Sequence, residues 1–424
     1  MLYLESLYSK NANNMKKSVI RELLKLTQQP EIISFAGGLP DPDTFPVEDL
    51  HAAADRVFAK QARAALQYGT TEGDNDLRAE LIKFEEHQGV KVGPDNLLIV
   101  SASQQALDMV PKIFLDPGDY IIAERPTYVG AIQAIQSYQG RILGIPSSPD
   151  NDGLDMEELE RLYLHAKKDG ACVKYIYVIP DFQNPSGVCW SLAKRKALLA
   201  FAYKHDLLIV EDAPYREIRF LGEPVPSIYQ LDQAGENRGI VVGLKTFSKI
   251  LAPGVRVGWI IARPEIIQKL VVAKQAVDLC TNVFSQKWLA EYLKTGKIYD
   301  VIAHTCELYR EKRNYMCEML EKHLPKRSDV TWTKPEGGLF LWITLPAFIN
   351  TDEMIHKAVA EKVAYVVGSA FYFEEAEHNA MRINFSYSSK LQIEEGARRL
   401  GKVVKAEIAA YEAGRRVAAV PEGV

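Results

Sequence analysis

The stretch Val241 to Trp259, VVGLKTFSKILAPGVRVGW, constrains this chain more than any other. An apolar, strand-like run gives way to a glycine and a polar Lys-Thr-Phe-Ser-Lys turn, and Pro253-Gly254 separates that turn from an arginine set among small apolar residues. The layout presents one lysine to a ligand. Lys249 follows two hydroxyls, Thr246 and Ser248, and precedes a fixed cation, Arg256, so an amine able to form a Schiff base sits among groups suited to holding a phosphate. That combination suggests pyridoxal phosphate. Read alone, the same lysine also fits a solvated strand-to-helix loop, so the rest of the chain has to supply the other parts.

A chain of 424 residues is longer than the roughly 250–300 that one core fills, so two domains around a cleft are expected. From Val47 to the 290s, short apolar runs alternate with amphipathic helices: NLLIV (Asn96 to Val100), YIIAE (Tyr120 to Glu124), YIYVIP (Tyr175 to Pro180), LLIVED (Leu207 to Asp212) and GIVVG (Gly239 to Gly243). Consecutive apolar positions mark strands buried on both faces, and the alternation marks an α/β domain, a mainly parallel sheet sandwiched by helices. After Glu291 come a long charged helix (Val301 to Leu324), the strand-like VTWTK, GGLFLWITL, AYVVG and MRINFSY, a helix near Asp352 to Glu361 and a final helix. The absence of strict alternation there predicts a smaller α+β domain. The expected organisation is an N-terminal helix (Lys16 to Thr27) and rigid connector over 1–46, packing with the small domain and the cleft, a large domain over 47–295 and a small one over 296–424, with the tail fraying from Ala413.

The 51 basic and 55 acidic residues give a formal charge of −4 without a long basic run, which argues against nucleic-acid and membrane partners and for a small-molecule one. Five scattered cysteines without a Cys-x-x-Cys pair, and eight histidines without metal-ligand spacing, predict neither a disulfide framework nor a metal site. No apolar signal core or run of 18 apolar residues is found, so the cytoplasm is the expected location.

In open sheets of this kind, ligands sit outside the carboxyl ends of the strands. After NLLIV, Ser103 and Gln104 open a helix whose N–H groups could meet a phosphate, although Ser103 alone also reads as an ordinary N-cap. After YIIAE, Tyr128 could stack on a pyridine ring. YIYVIP runs into Asp181-Phe182-Gln183-Asn184-Pro185, where the Asn184 amide could donate to a phenolate oxygen, with Tyr215 sharing it. LLIVED ends on Asp212, a carboxylate that needs a cationic partner such as a protonated pyridine nitrogen, or else a structural ion pair. In the connector ISFAGGLPDPDTFP, Gly37 and Gly38 permit close backbone approach, as an active-site wall or a simple linker would need.

From about Ser18 to Gly401 the chain resembles the fold-type I, class I/II aminotransferases, particularly the 2-aminoadipate and kynurenine aminotransferase branch. SVIRELLKLTQ, ISFAGGLPDPDTFP, ALQYGTTEG, SASQQALD, PDFQNPSG, VEDAPYRE, TFSKILAPGVRVGW, KPEGGLFLW and MRINFSY carry the resemblance, in that order. It implies pyridoxal phosphate as cofactor. Lys249 matches the Schiff-base lysine, Asp212 the pyridinium partner, Asn184 and Tyr215 the phenolate contacts and Tyr128 the stacking aromatic, with Ser103, Gln104, Thr246 and Arg256 matching phosphate ligands. Tyr68 matches a tyrosine that reaches the neighbouring subunit's phosphate, implying a homodimer with shared sites. Arg382 matches the clamp on the substrate α-carboxylate, Gly38 lies on the substrate side, and Arg21 matches a mobile-helix arginine that meets acidic side chains.

Two departures bear on substrate choice: the loop FYFEEAEHNA (Phe371 to Ala380) is acidic where relatives are glycine-rich, and Lys245 stands where they often have a small residue. The resemblance implies ping-pong transfer of an amino group from an L-amino acid (2-aminoadipate, glutamate, aromatic or branched-chain) to a 2-oxo acid such as 2-oxoglutarate. The alternatives are another pyridoxal enzyme on the same scaffold, a β-lyase or decarboxylase, and a non-catalytic regulator. The latter would need a DNA-binding module, for which about 30 residues before ISFAGG are too few.

Overall fold

Seven largely buried runs, three of them buried along their whole length, make the sheet on which the candidate site rests. A computed structural model of the chain describes residues 3–14, 31–148 and 150–418. The helix expected over Lys16–Thr27, with Arg21, lies outside the described residues. After β1 (Ile33–Ser34), the strands β2 (Leu97–Val100), β3 (Tyr120–Arg125), β4 (Arg141–Pro146), β5 (Val173–Val178), β6 (Leu208–Asp212), β7 (Val241–Thr246) and β8 (Gly258–Ile261) form one sheet in the order β2-β8-β7-β6-β5-β3-β4. β2, β7 and β8 are buried at every position. Each fully buried Val, Ile or Leu contributes roughly 1.5–3 kcal/mol, so runs apolar on both faces are held only where helices cover both sides.

Neighbours from β7 through β6, β5 and β3 to β4 pair in parallel, while β8 runs antiparallel to both β2 and β7. Two strands were not foreseen in the sequence. In β4, Arg141 is exposed and Gly144 interrupts the apolar run, which hides it. β8 is hidden because its first residue is Gly258 and its sequence continues an apparent loop. The GIVVG run also forms its strand later than expected, from Val241 to Thr246, so Lys245 and Thr246 belong to the strand rather than to the following turn.

The second sheet has four antiparallel strands in the order β12-β13-β10-β9, from β9 (Thr331–Trp332), β10 (Phe340–Thr344), β12 (Val366–Val367) and β13 (Ala380–Asn384). AYVVG forms two short strands, β11 (Val363–Ala364) and β12, separated by Tyr365, whose hydroxyl donates to Thr351 O at 2.8 Å. β1 pairs in parallel with β11, which joins the N-terminal connector to the C-terminal part of the chain. The long helix Ile298–His323 packs along the last one, Lys390–Ala418, which continues past Ala413, where fraying was expected. Among the described residues no helix is long and apolar enough to cross a membrane.

Candidate active site

β2, β3, β5, β6 and β7 all end on one edge of the sheet, and the residues just beyond those ends face a common cleft of about 480 Å³. That volume suits a cofactor with a small substrate. The antiparallel direction of β8 has a use here. Because β8 starts where its neighbours end, Arg256 arrives at the same edge as Lys249. Gly258, the first residue of β8, lies between Thr246 and Val100. A Cβ on it would stand 2.5 Å from Lys245 O and 3.0 Å from Ser103 N, so a glycine is what lets the helix Ala102–Phe114 begin this close to β7.

One wall of the cleft is built from hydroxyls and N–H groups. Ser103 and Gln104 occupy the first turn of the helix Ala102–Phe114, the positive end of its dipole. Thr246 Oγ1 lies 2.9 Å from Ser248 Oγ and accepts from Ser248 N at 3.2 Å. Arg256 adopts a left-handed backbone at φ 51°, as does Ala102 at φ 62°. Two non-glycine residues held in that region beside one cleft are the kind of strain found at binding sites. Behind this wall, Asp278 accepts from Gln105 Nε2 at 2.8 Å and from Ser101 Oγ at 3.3 Å, a brace that no sequence signal identifies.

The opposite side holds the ionisable groups. Lys249 Nζ donates to Gly38 O at 2.7 Å, and burial, followed by the Arg382 and Arg256 guanidinium groups, pulls its pKa down to about 8. Asp212 is 2% exposed at the end of β6 and burial pushes its carboxyl up to about 7. Its Oδ2 accepts from the Tyr177 hydroxyl at 2.8 Å, while Oδ1 is buried without a hydrogen-bond partner. Tyr177 escaped the sequence reading because it looks like one more aromatic in a buried strand. Its place at the second-last position of β5, beside the strand that ends in Asp212, is the signal that could have found it.

Arg382, on β13, is 2% exposed and held down to about 10 by burial, with Tyr215 and Tyr128 opposing the shift. Its Nη1 donates to Asn184 Oδ1 at 2.7 Å and its Nη2 to Ala36 O at 2.9 Å. The guanidinium carbon sits 4.0 Å from the Phe340 ring centroid and 5.0 Å from that of Phe371. Tyr215 is buried and its hydroxyl is shifted upward by burial first. Tyr128 donates to Gln104 Oε1 at 3.3 Å, and Gly130 leaves room for both, since a Cβ there would lie 2.5 Å from the Tyr128 ring.

Thus Gly38, Ser103, Gln104, Tyr128, Asn184, Asp212, Tyr215, Thr246, Lys249, Arg256 and Arg382 all line one cleft. Tyr68 does not. It is 79% exposed and lines a separate depression with Gly69 and Lys287. Of the two sequence departures, Lys245 does not reach the cleft, and the acidic loop borders it only through Phe371, which packs on Arg382. Lys245, one residue before Thr246, points to the other face of β7 and is buried against Glu85 at 3.2 Å and Glu217 at 3.7 Å. In the acidic loop, Phe371 covers Arg382, while Glu374, Glu375 and Glu377 turn to solvent. Glu374 stands 3.9 Å from Arg125.

A model of the family "Aminotransferase class I and II" matches residues 30–400. The chain belongs to the class I and II aminotransferases. The aminotransferase is 45% identical over 405 residues, 95% of each chain, to aromatic-amino-acid aminotransferase 1 of Thermococcus litoralis. It is 39% identical over 402 residues, 95% of this chain and 97% of the relative, to the 2-aminoadipate transaminase of Thermus thermophilus. Among solved structures, the Pyrococcus horikoshii kynurenine aminotransferase in complex with PMP superposes with a TM-score of 0.90 at 43% identity, covering 96% of this chain and 98% of that one. The Thermus thermophilus α-aminoadipate aminotransferase complexed with N-(5'-phosphopyridoxyl)-L-leucine gives 0.88 at 37% identity, covering 96% and 100%. The fold and the cofactor expected from the sequence, fold-type I and pyridoxal phosphate, are those of this family. The residues present fit that cofactor, with an unpartnered buried carboxylate oxygen on Asp212, a buried lysine with a depressed pKa, and a helix start with hydroxyls and Arg256 at the far wall.

Proposed function

We propose that this aminotransferase moves the amino group of an L-amino acid, with 2-aminoadipate and aromatic amino acids as the first candidates, to a 2-oxo acid such as 2-oxoglutarate in a ping-pong sequence. The observation that carries the reading is the buried Arg382 on the same cleft as Lys249. A planar guanidinium held between Phe340 and Phe371 presents a fork matched to an α-carboxylate, and it sets the substrate's α-carbon near the lysine. The substrate classes rest on the named activities of the relatives at 45% and 39% identity.

When bound, pyridoxal phosphate supplies an aldehyde for the substrate amine and a protonated ring that withdraws electrons from the α-carbon. Ser103, Gln104, Thr246 and Arg256 would hold its phosphate, Tyr128 would cover the ring, Asn184 and Tyr215 would hold the phenolate oxygen, and Asp212, through its unpartnered Oδ1, would serve the ring nitrogen. Lys249 Nζ is the base that takes the proton from the substrate α-carbon, a role for which a pKa near 8 leaves a large neutral fraction at mildly alkaline pH. Holding lysine and substrate together in this way is worth an effective molarity of about 10⁵–10⁸ M. Arg21, outside the described residues, is proposed to meet acidic substrate side chains. Tyr68 is proposed to complete the phosphate site of a second copy, because it is exposed and away from its own cleft. Mixing the Lys249→Ala and Tyr68→Phe proteins tests that arrangement: activity above the sum of the two would support shared sites, and strict additivity would refute them.

Initial rates with both substrates varied test the reaction type. Parallel double-reciprocal lines are expected. Intersecting lines would refute the ping-pong order, and sustained carbon dioxide or pyruvate release without a 2-oxo acid would establish a decarboxylase or β-lyase instead.

A further inference from the structure

We propose that Tyr177 is a positioning residue for Asp212, whose hydroxyl holds one carboxylate oxygen so that the other stays ionised and turned to the cofactor ring nitrogen. The geometry begins with the sheet. In the parallel pairing of β5 and β6, Tyr177 stands opposite Val210, and Asp212 lies two residues further along, on the same face as Val210. The diagonal neighbour is therefore within reach of a long side chain, and the hydroxyl closes the gap at 2.8 Å. Both side chains are enclosed, Tyr177 at 1% and Asp212 at 2% exposure.

A carboxylate in that position has two oxygens with different fates. Oδ2 is taken by Tyr177; Oδ1 has no hydrogen-bond partner although it is buried. A buried acceptor left unpaired is unfavourable unless a donor is supplied, and on this cleft the donor is the protonated ring nitrogen. Without the hydroxyl, the carboxyl could rotate, take up a proton and cease to be an anion. Burial favours the neutral acid and the Tyr177 hydrogen bond opposes it. Tyr177 is also the group given the least freedom to do anything else, since burial and the Asp212 charge both keep its hydroxyl protonated and therefore a donor.

The proposal rests on the assignment of Asp212 to the ring nitrogen, and the test separates the two. Apoprotein is titrated with pyridoxal phosphate and with 1-deazapyridoxal phosphate, which has a carbon in place of that nitrogen, and the ratio of dissociation constants is compared between wild type and Tyr177→Phe. Wild type is expected to prefer pyridoxal phosphate, and the preference is expected to fall about tenfold or more in Tyr177→Phe, as loss of a hydrogen bond to a charged group implies. The pH below which pyridoxal phosphate affinity declines should also move upward in the variant, because removing a donor to the anion makes it easier to protonate. Wild type binding both ligands alike would refute the Asp212 assignment. A wild type that discriminates, with an unchanged ratio in Tyr177→Phe or equal losses for both ligands, would overturn the role of Tyr177 alone. If Tyr177→Phe does not yield folded protein, 3-fluorotyrosine in place of Tyr177 keeps the hydroxyl as a stronger donor; an increased ratio supports the proposal and an unchanged one overturns it.

Discussion

Arg382 Nη1 donates to Asn184 Oδ1 at 2.7 Å, and that bond decides which way the Asn184 amide faces. An arginine has donors and no acceptor, so the amide oxygen must lie toward Arg382, which turns the NH₂ group to the Tyr215 side of the cleft. In the function proposed above, one side chain would thereby prepare two contacts, the substrate carboxylate through its own fork and the cofactor's phenolate oxygen through Asn184.

Arg382→Lys should therefore cost more than a charge-preserving change suggests. Losing a bidentate, charge-assisted pair removes about 1.5–3 kcal/mol per bond, so kcat/KM is expected to fall about a hundredfold or more, mostly through KM. The visible spectrum of the loaded protein should shift as well, because Asn184 loses its fixed orientation. Unchanged KM would remove Arg382 from carboxylate binding.

Asp212→Asn should exchange function for stability. The folded-state pKa of Asp212, about 7, lies above its ordinary 3.8, so the native apoprotein binds a proton that the unfolded chain has released. Stability then falls as pH rises from about 4 to about 7 and levels above that, with a penalty on the order of a few kcal/mol at neutral pH. Removing the charge is expected to raise the melting temperature of the apoprotein at pH near 8 while weakening pyridoxal phosphate binding. Thermal unfolding at pH near 8 and near 5 checks the sign: the gain should be clearly larger at the higher pH.

Much of this was legible because the chemistry sits at strand ends. Apolar runs such as LLIVED announce a buried strand by composition, and the polar residue that terminates each one has few reasons to be there other than the cleft. What the sequence hides is lateral order. That β8 inserts antiparallel between β2 and β7, and so brings Arg256 to the lysine, depends on pairing across 158 residues from Val100 to Gly258, which no local pattern encodes. The same limit explains Lys245. In sequence it stands beside the phosphate-side residue Thr246, yet the two-residue period of β7 sends it to the opposite face.

Lys245→Met is accordingly expected to destabilise without altering specificity. Glu85, which also accepts from Trp259 Nε1 at 2.8 Å, and Glu217 would lose their shared cation in a buried setting. Breaking such a pair costs about 3–5 kcal/mol. A lowered melting temperature with unchanged ratios of kcat/KM among acidic and aromatic substrates is the expected result; an altered ratio would return Lys245 to substrate selection.

The central claim is that Lys249 works as the base of a half-transamination on this cleft. The direct measurement mixes the loaded protein with L-2-aminoadipate or an aromatic amino acid, with no acceptor present, and follows both the visible absorbance and the 2-oxo acid formed. The account predicts a single burst of 2-oxo acid equal to the number of sites, ending with loss of the visible band and resuming only when 2-oxoglutarate is added. It also predicts that Lys249→Ala slows the burst by at least about four orders of magnitude. Continuous product without an acceptor, or a burst preserved in Lys249→Ala, would contradict it.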